Sequence, residues 1–114
     1  MFSLLPACVD QGIVVYYNYI QMEPVKFEWD KGNSAKNLEK HHVTDRECEE
    51  IFFDSQLKVL HDKGHSAMED RYYAMGKTMR RRVLFVVFTI RRDKIRVISA
   101  RDINRKERGY YENK

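Results

Sequence analysis

Arg82-Val83-Leu84-Phe85-Val86-Val87-Phe88-Thr89-Ile90-Arg91-Arg92, then Asp93-Lys94, then Ile95-Arg96-Val97-Ile98-Ser99-Ala100-Arg101, is the stretch whose reading decides the fold. Every position from Val83 to Phe88 is apolar. In an extended chain, successive side chains point to opposite faces, so an unbroken apolar run describes a central strand buried on both sides. Its β-branched and aromatic residues favour a strand over a short buried helix. The polar break Arg92-Asp93-Lys94 is too short for a crossover, so the second strand returns antiparallel. Arg82, Arg91, Arg92, Arg96 and Arg101 stand towards the ends of this hairpin. They read either as an anion-binding platform or as solubilising charges at strand edges.

On the N-terminal side the alternation in Lys26-Phe27-Glu28-Trp29 predicts a short strand with Phe27 and Trp29 inward. Asp30 is a suitable N-cap for a helix over Lys31 to His41, with Ala35, Leu38 and His42 towards the core and Gly32 and Asn33 weakening its first turn. Thr44-Asp45-Arg46-Glu47 is a capping box opening a second helix, whose buried face is Cys48, Ile51 and Phe52 and which ends at Asp54-Ser55. Leu57 to His61 and Arg71 to Met75 read as strands, with a loop at Asp62 to Ser66 and a basic turn from Gly76 to Arg81. Ile103 to Glu112 reads as a basic helix with Ile103 and Tyr110 on one side. The fold class expected is α+β: an antiparallel sheet of about four to five strands, two N-terminal helices and one C-terminal helix.

The chain has 114 residues, the size of one domain with a modest core. Residues 1–22 contain no Lys or Arg and read as an extension, either an added strand or flap, or sequence upstream of a start at Met22. They lack the basic lead of a secretory signal, and 23–114 read as a single domain. No apolar run approaches the roughly 18 residues of a membrane span. Two cysteines, Cys8 and Cys48, form no CxxC pair, which argues against a disulfide framework and fits a cytoplasmic protein. The net charge of +4 hides a division: residues 23–70 carry 7 Lys/Arg against 12 Asp/Glu, whereas residues 71–114 carry 14 against 4. Such a separation points to a polyanionic partner.

His41-His42 and the His61/His65 pair do not make a metal site; Gly64 opposes the helix that would align the second pair, and no HExxH occurs. No glycine-rich nucleotide loop and no nucleophile elbow is present, and no cofactor is expected. What remains is a set of acid–base and cationic groups: Lys40, His41, His65, Glu69, Arg71, Arg91, Arg92, Arg96, Arg101 and Tyr110. RNA cleavage needs a base for the 2′-hydroxyl, cations for the dianionic transition state and an acid for the leaving oxygen. The same groups equally describe a nucleic-acid binder without catalysis. Glu69 reads alternatively as a salt-bridge partner of Arg71, and Tyr110 and Tyr111 as helix-to-sheet packing.

Several of these residues fall into ordered motifs: Phe27-Glu28-Trp29-Asp30; Asn37-Leu38-x-Lys40-His41-x-Val43; His65-Ser66-x-x-Glu69-Asp70-Arg71-Tyr72; Gly76; Val86-Val87-Phe88-Thr89; and Arg96 to Arg101, with Glu107 and Tyr110 beyond. In that order, over residues 25–112, the chain resembles the BrnT toxin family. The resemblance implies a RelE-like fold and a ribonuclease toxin that blocks translation by cutting RNA without a metal. It implies a BrnA-like ribbon-helix-helix antitoxin through which the complex meets operator DNA, and assembly as a homodimer or a heterotetramer with the antitoxin. Family position and chemistry together nominate Glu69, Arg71, Arg101, His65 and Lys40 for catalysis, and His41, Arg91, Arg92, Arg96 and Tyr110 for RNA binding. Two departures stand out: Asn33 replaces the usual lysine, and His42 replaces a glycine. The alternative expectation is a decayed, non-catalytic toxin that docks an acidic antitoxin segment.

Overall fold

The computed structural model describes residues 26–62 and 70–113. Four strands, β1 (Lys58–Asp62), β2 (Arg71–Lys77), β3 (Val83–Arg91) and β4 (Lys94–Asp102), form one sheet in that order. All three pairings are antiparallel. Helix α1 (Lys36–His41) and helix α2 (Asp45–Glu50), which runs into a 3₁₀ turn at Ile51–Phe53, precede the sheet; helix α3 (Arg105–Glu112) follows it. The α+β class and the helix placement agree with the sequence pattern. The extension and the loop at 63–69, with the expectations placed on them, lie outside the described residues.

The run Val83 to Phe88 is a central strand for the reason its composition gives. Leu84, Val86 and Phe88 join Cys48, Ile51 and Phe52 in the main core, and Val83 joins Met75 and Tyr111 in a smaller one. Phe52 meets Phe88 edge-on, ring centroids 5.1 Å apart. The capping box at Thr44 and Glu47 forms as its residues dictate, each side chain accepting from the other's backbone N–H.

The hairpin closes through only Arg92 and Asp93, since Arg91 pairs with Lys94. Both turn residues have positive φ (53° and 66°), as a primed two-residue turn requires, although neither is glycine. Further along, Phe88 pairs with Val97 while Val87 pairs with Ser99, so Ile98 is an extra residue in β4. This bulge has a consequence the alternation pattern conceals. Arg96 and Arg101 are five apart and belong on opposite faces of a regular strand, yet they pair with Thr89 and Phe85 and share one face.

The segment before α1 departs from expectation. Lys26 to Trp29 makes a single parallel bridge to β4 rather than a strand, with Glu28 N–H donating to the Ile95 carbonyl and Ile95 N–H to that of Lys26. Residues 31–35 form turns instead of helix, and α1 begins at Lys36. Asp30 does not cap α1; its carboxylate accepts from the Gly32 N–H and pairs with Arg96. Leu38 is 47% exposed and Ala35 is exposed, while the buried residues are Asn33 and Asn37. The physical reason is the free edge of β4. The Asn33 amide donates to the Val97 carbonyl (3.0 Å), and the Asn37 side-chain oxygen accepts from Ala100 N–H (2.9 Å). Two asparagines and a bridge thus satisfy an edge that would otherwise be open to another chain.

Two further corrections concern β2 and α3. Gly76 lies inside β2, not in a turn, and the site demands glycine because a Cβ there would come within 2.7 Å of Ile51 Cβ and 2.8 Å of its carbonyl oxygen. Helix α3 packs through Tyr111, which is 4% exposed, while Tyr110 is 42% exposed. Tyr111 donates its hydroxyl to Asp54, and burial with that carboxylate raises the phenol above its ordinary range.

Candidate nucleic-acid interface

On the sheet face away from α1 and α2, alternation and register place Arg71, Tyr73, Phe85 and Arg101 together. Tyr73 and Phe85 are in ring contact at 5.2 Å across β2 and β3. Tyr73 donates its hydroxyl to Asp62, whose carboxylate holds the phenol above its usual range. Arg71 and Arg101 therefore share a face but not a row. Arg101 stands opposite Phe85, and Arg71 lies one step beyond the Tyr72–Phe88 pair, level with Thr89. Four residues of β3 separate those rows, about 13 Å along the strand.

Arg101 is the most constrained of these cations. Its two terminal nitrogens donate to the two carboxylate oxygens of Glu107 at 2.9 and 2.7 Å. Its guanidinium lies 4.5 Å from the Phe85 ring centroid. Glu107 is held in turn as the third residue of a capping box with Asn104 at the start of α3. The Arg101 hydrogen bonds keep the Glu107 carboxyl below its ordinary range and raise the guanidinium in return. Arg101 still exposes 38% of its side chain.

Arg82 and Arg96 are scaffold residues. The Arg82 guanidinium donates to Asp102 at 2.6 and 3.1 Å, to Glu47, and to the carbonyls of His41 and His42 at 3.1 and 2.8 Å. Arg96 takes both carboxylate oxygens of Asp30 at 2.9 and 3.0 Å and fixes the turn before α1. Arg82 thus ties α1 and α2 to the sheet, and Arg96 ties the turn before α1 to β4.

The nominated residues fall into groups. Lys40 and His41, both exposed, end α1, and Arg82 fastens that end beside Asp102, next to Arg101. Arg71, Arg96, Arg91 at the end of β3 and the turn residue Arg92 stand at the opposite end of the sheet. Tyr110 joins neither group; its ring lies 5.7 Å from the Lys58 ammonium over β1. His65 and Glu69 lie outside the described residues. The His61 ring meets Tyr72 at 5.0 Å in a tilted arrangement, with a ring nitrogen 3.3 Å from Asp70. Among the described residues no three His, Cys, Asp or Glu side chains gather as a metal site. Burial pushes the Cys48 thiol up to about 12, which makes it a poor nucleophile. Sequence reasoning gave no role to Tyr73, Phe85 or the Glu107 carboxylate. Asn104-Arg105-Lys106-Glu107 carried the signal for the last, as a second capping box.

The family model described as the ribonuclease toxin, BrnT, of type II toxin-antitoxin system matches residues 29–107. The chain belongs to the BrnT family. It is also similar to the 1.1 Å crystal structure of the Brucella abortus ribonuclease toxin, BrnT, with 25% sequence identity and a TM-score of 0.54. That match covers 72% of this chain and 100% of the other. No curated protein sequence matches the chain. Within the family frame both departures find a place. Asn33 is 2% exposed and bonded to Glu28 and Val97, so it belongs to the scaffold of the β4 edge. His42 ends α1 with φ 57° and ψ 36°, a left-handed C-cap of the kind glycine adopts without strain.

Proposed function

We propose that this BrnT-family chain is an endoribonuclease toxin that cuts RNA without a metal ion. The ribose 2′-oxygen attacks the adjacent phosphorus, the bond to the 5′-oxygen breaks, and the products are a 2′,3′-cyclic phosphate and a free 5′-hydroxyl. A base removes the 2′ proton, an acid returns one to the leaving oxygen, and fixed cations hold the dianionic phosphorane. Arg101 supplies the fixed charge, Arg71 holds a neighbouring phosphate, and Lys40 and His41 neutralise charge beside Arg101. Glu69 or His65 serves as base. Arg91 and Arg92 extend the cationic track, while Arg96 and Tyr110 contribute through the scaffold. Loss of intact messenger stops translation, and a BrnA-like ribbon-helix-helix antitoxin neutralises the toxin and carries the complex to operator DNA.

The observation that carries this reading is Arg101: a guanidinium fixed by Glu107 and Phe85 beforehand, on a side chain that is still partly exposed. Preorganised charge of this kind is worth most to a developing anion. The test is cleavage of a single defined RNA by the purified chain in excess EDTA, with the product ends identified. Cyclic phosphate ends formed in EDTA are expected. Activity that vanishes in EDTA and returns with magnesium or zinc overturns the mechanism.

A second reading, a partner-binding module without catalysis, is favoured by one observation. Arg82, Arg96 and Arg101 are each matched by a carboxylate, which leaves the face less cationic than the sequence suggests. An intact RNA after prolonged incubation with a folded chain selects this reading.

A further inference from the structure

A second basic site uses none of the residues nominated for cleavage. Between α3 and the turn joining β2 to β3, Lys77, Arg81, Val83, Arg108, Tyr111 and Glu112 line a cleft of about 400 Å³. Three cations face one carboxylate, and that carboxylate, Glu112, is shared with Arg108 in an exposed pair at 3.5 Å. The floor is firm: Asp54 accepts from the Tyr111 hydroxyl and from the Lys77 N–H, binding α3 to β2. On α3, Glu107 faces Arg101, and Arg108 and Glu112 face the cleft, so the helix divides the two sites. A helix is about 10 Å across.

We propose that this cleft is a phosphate subsite for single-stranded nucleic acid, holding a phosphodiester of the bound strand beyond the reacting one. The inference rests on the reading of the chain as a protein that acts on RNA. Two guanidiniums and an ammonium in a mainly polar cleft suit a phosphodiester, whose oxygens accept forked donors. An acidic protein segment is the less favoured occupant, because the family is one of ribonuclease toxins and an RNA strand presents a phosphodiester at every nucleotide. A strand that reaches the cleft while its reacting phosphate lies at Arg101 must pass over α3, so a dinucleotide does not span both sites and a longer strand does.

The probe is a fluorescein-labelled dodecadeoxynucleotide, which has no 2′-hydroxyl and cannot be cut, so binding reads out even if the chain cleaves nothing. Fluorescence anisotropy of the full chain is followed from low to moderate salt. Arg81→Gly and Arg108→Ala should each weaken binding about five- to tenfold and flatten the log K against log salt slope by about 0.7, the share of one phosphate on a single strand. Arg46→Ala, which removes the same charge from α2, should change neither. Arg81 has φ 71°, so glycine there relieves the backbone and the melting temperature should hold or rise while binding falls. A structural role moves both in the same direction. Unchanged dodecamer binding in both variants, or losses equal to that of Arg46→Ala, overturns the proposal. So does displacement of the dodecamer by inorganic phosphate at matched phosphate concentration, which marks a free-phosphate site. Equal displacement by an oligoglutamate of the same length marks an acidic-protein site and also overturns it.

Discussion

Arg82, just before β3, grips Asp102, the last residue of β4, with Nε 2.6 Å from one carboxylate oxygen and a terminal nitrogen 3.1 Å from the other. The same guanidinium reaches the last carbonyls of α1, so one side chain joins helix, strand and α2. It closes the backbone valences a helix leaves open at its C-terminus, and its positive charge is favourable there. Arg82→Ala should therefore destabilise the fold by about 2 kcal/mol, in the range for hydrogen bonds to charged groups. A urea melt checks it, and a loss no larger than that of Arg46→Ala would show the clamp to be incidental.

The same pair sets a pH dependence. Arg82 holds the Asp102 carboxyl below its ordinary range, as Arg96 does for Asp30 and Arg101 for Glu107. A lowered native value adds stability that is complete above the unfolded value, near pH 4, and is lost as pH falls through the native values. Stability should fall steadily below about pH 4, and the acid limb should be shallower in Arg82→Ala. Denaturant midpoints measured from pH 2 to pH 7 test this, and identical limbs would refute the coupling.

Gly76 is required by contact. A methyl group there meets the Cβ and carbonyl of Ile51 below 3.0 Å, and backbone cannot step aside as a long side chain can. Gly76→Ala should cost about 1–3 kcal/mol, the usual overpacking range. Gly109, with nothing within 4 Å of a built Cβ, is the internal comparison, and Gly109→Ala in α3 should be neutral or stabilising. Thermal melts of the two variants should separate in opposite directions.

His42→Gly should stabilise the protein by about 1 kcal/mol, because it removes the steric cost of left-handed backbone while leaving the carbonyl that Arg82 uses. A fall in the melting temperature would mean that the imidazole makes a contribution larger than the strain.

The central strands, the second helix with its capping box, and the α+β class were legible because they rest on local rules: apolar runs, alternation and spacing. The first helix was not. Its pattern suggested that Leu38 packs inward, but the demand it meets is hydrogen bonding at the β4 edge, and Asn33 and Asn37 answer it. Periodicity has no symbol for a buried asparagine. The bulge at Ile98 was equally hidden, since it appears only when two strands are paired, and it decides that Arg96 and Arg101 share a face. Among the cations, sequence listed the charges but not their partners. Arg82 and Arg101 look alike on the page, yet one clamps α1 to the sheet and the other is held between Glu107 and the Phe85 ring.

That contrast leads to the prediction that separates Arg71 from Arg101. Their rows lie about 13 Å apart along β3 and they sit on strands either side of it, so the two guanidiniums are expected to serve different phosphates. Arg101 is fixed before substrate arrives, and fixed charge favours the transition state over the ground state. Arg101→Ala should lower kcat on a single defined RNA by about 10²–10³ with little change in KM, the size of one lost electrostatic donor. Arg71→Ala should act mainly on KM, because a neighbouring phosphate carries the same charge in both states. Glu107→Gln frees the Arg101 fork while keeping the guanidinium, so it should lower kcat less than Arg101→Ala and leave KM near the parent value. The double variant Arg71→Ala with Arg101→Ala should show additive losses in log kcat/KM, as expected of groups that do not share a partner. Kinetics on the four proteins, each with a thermal melt, decide the matter. A kcat loss of equal size for Arg71→Ala, with the double variant no worse than either single one, would place both arginines on one phosphate and refute the division.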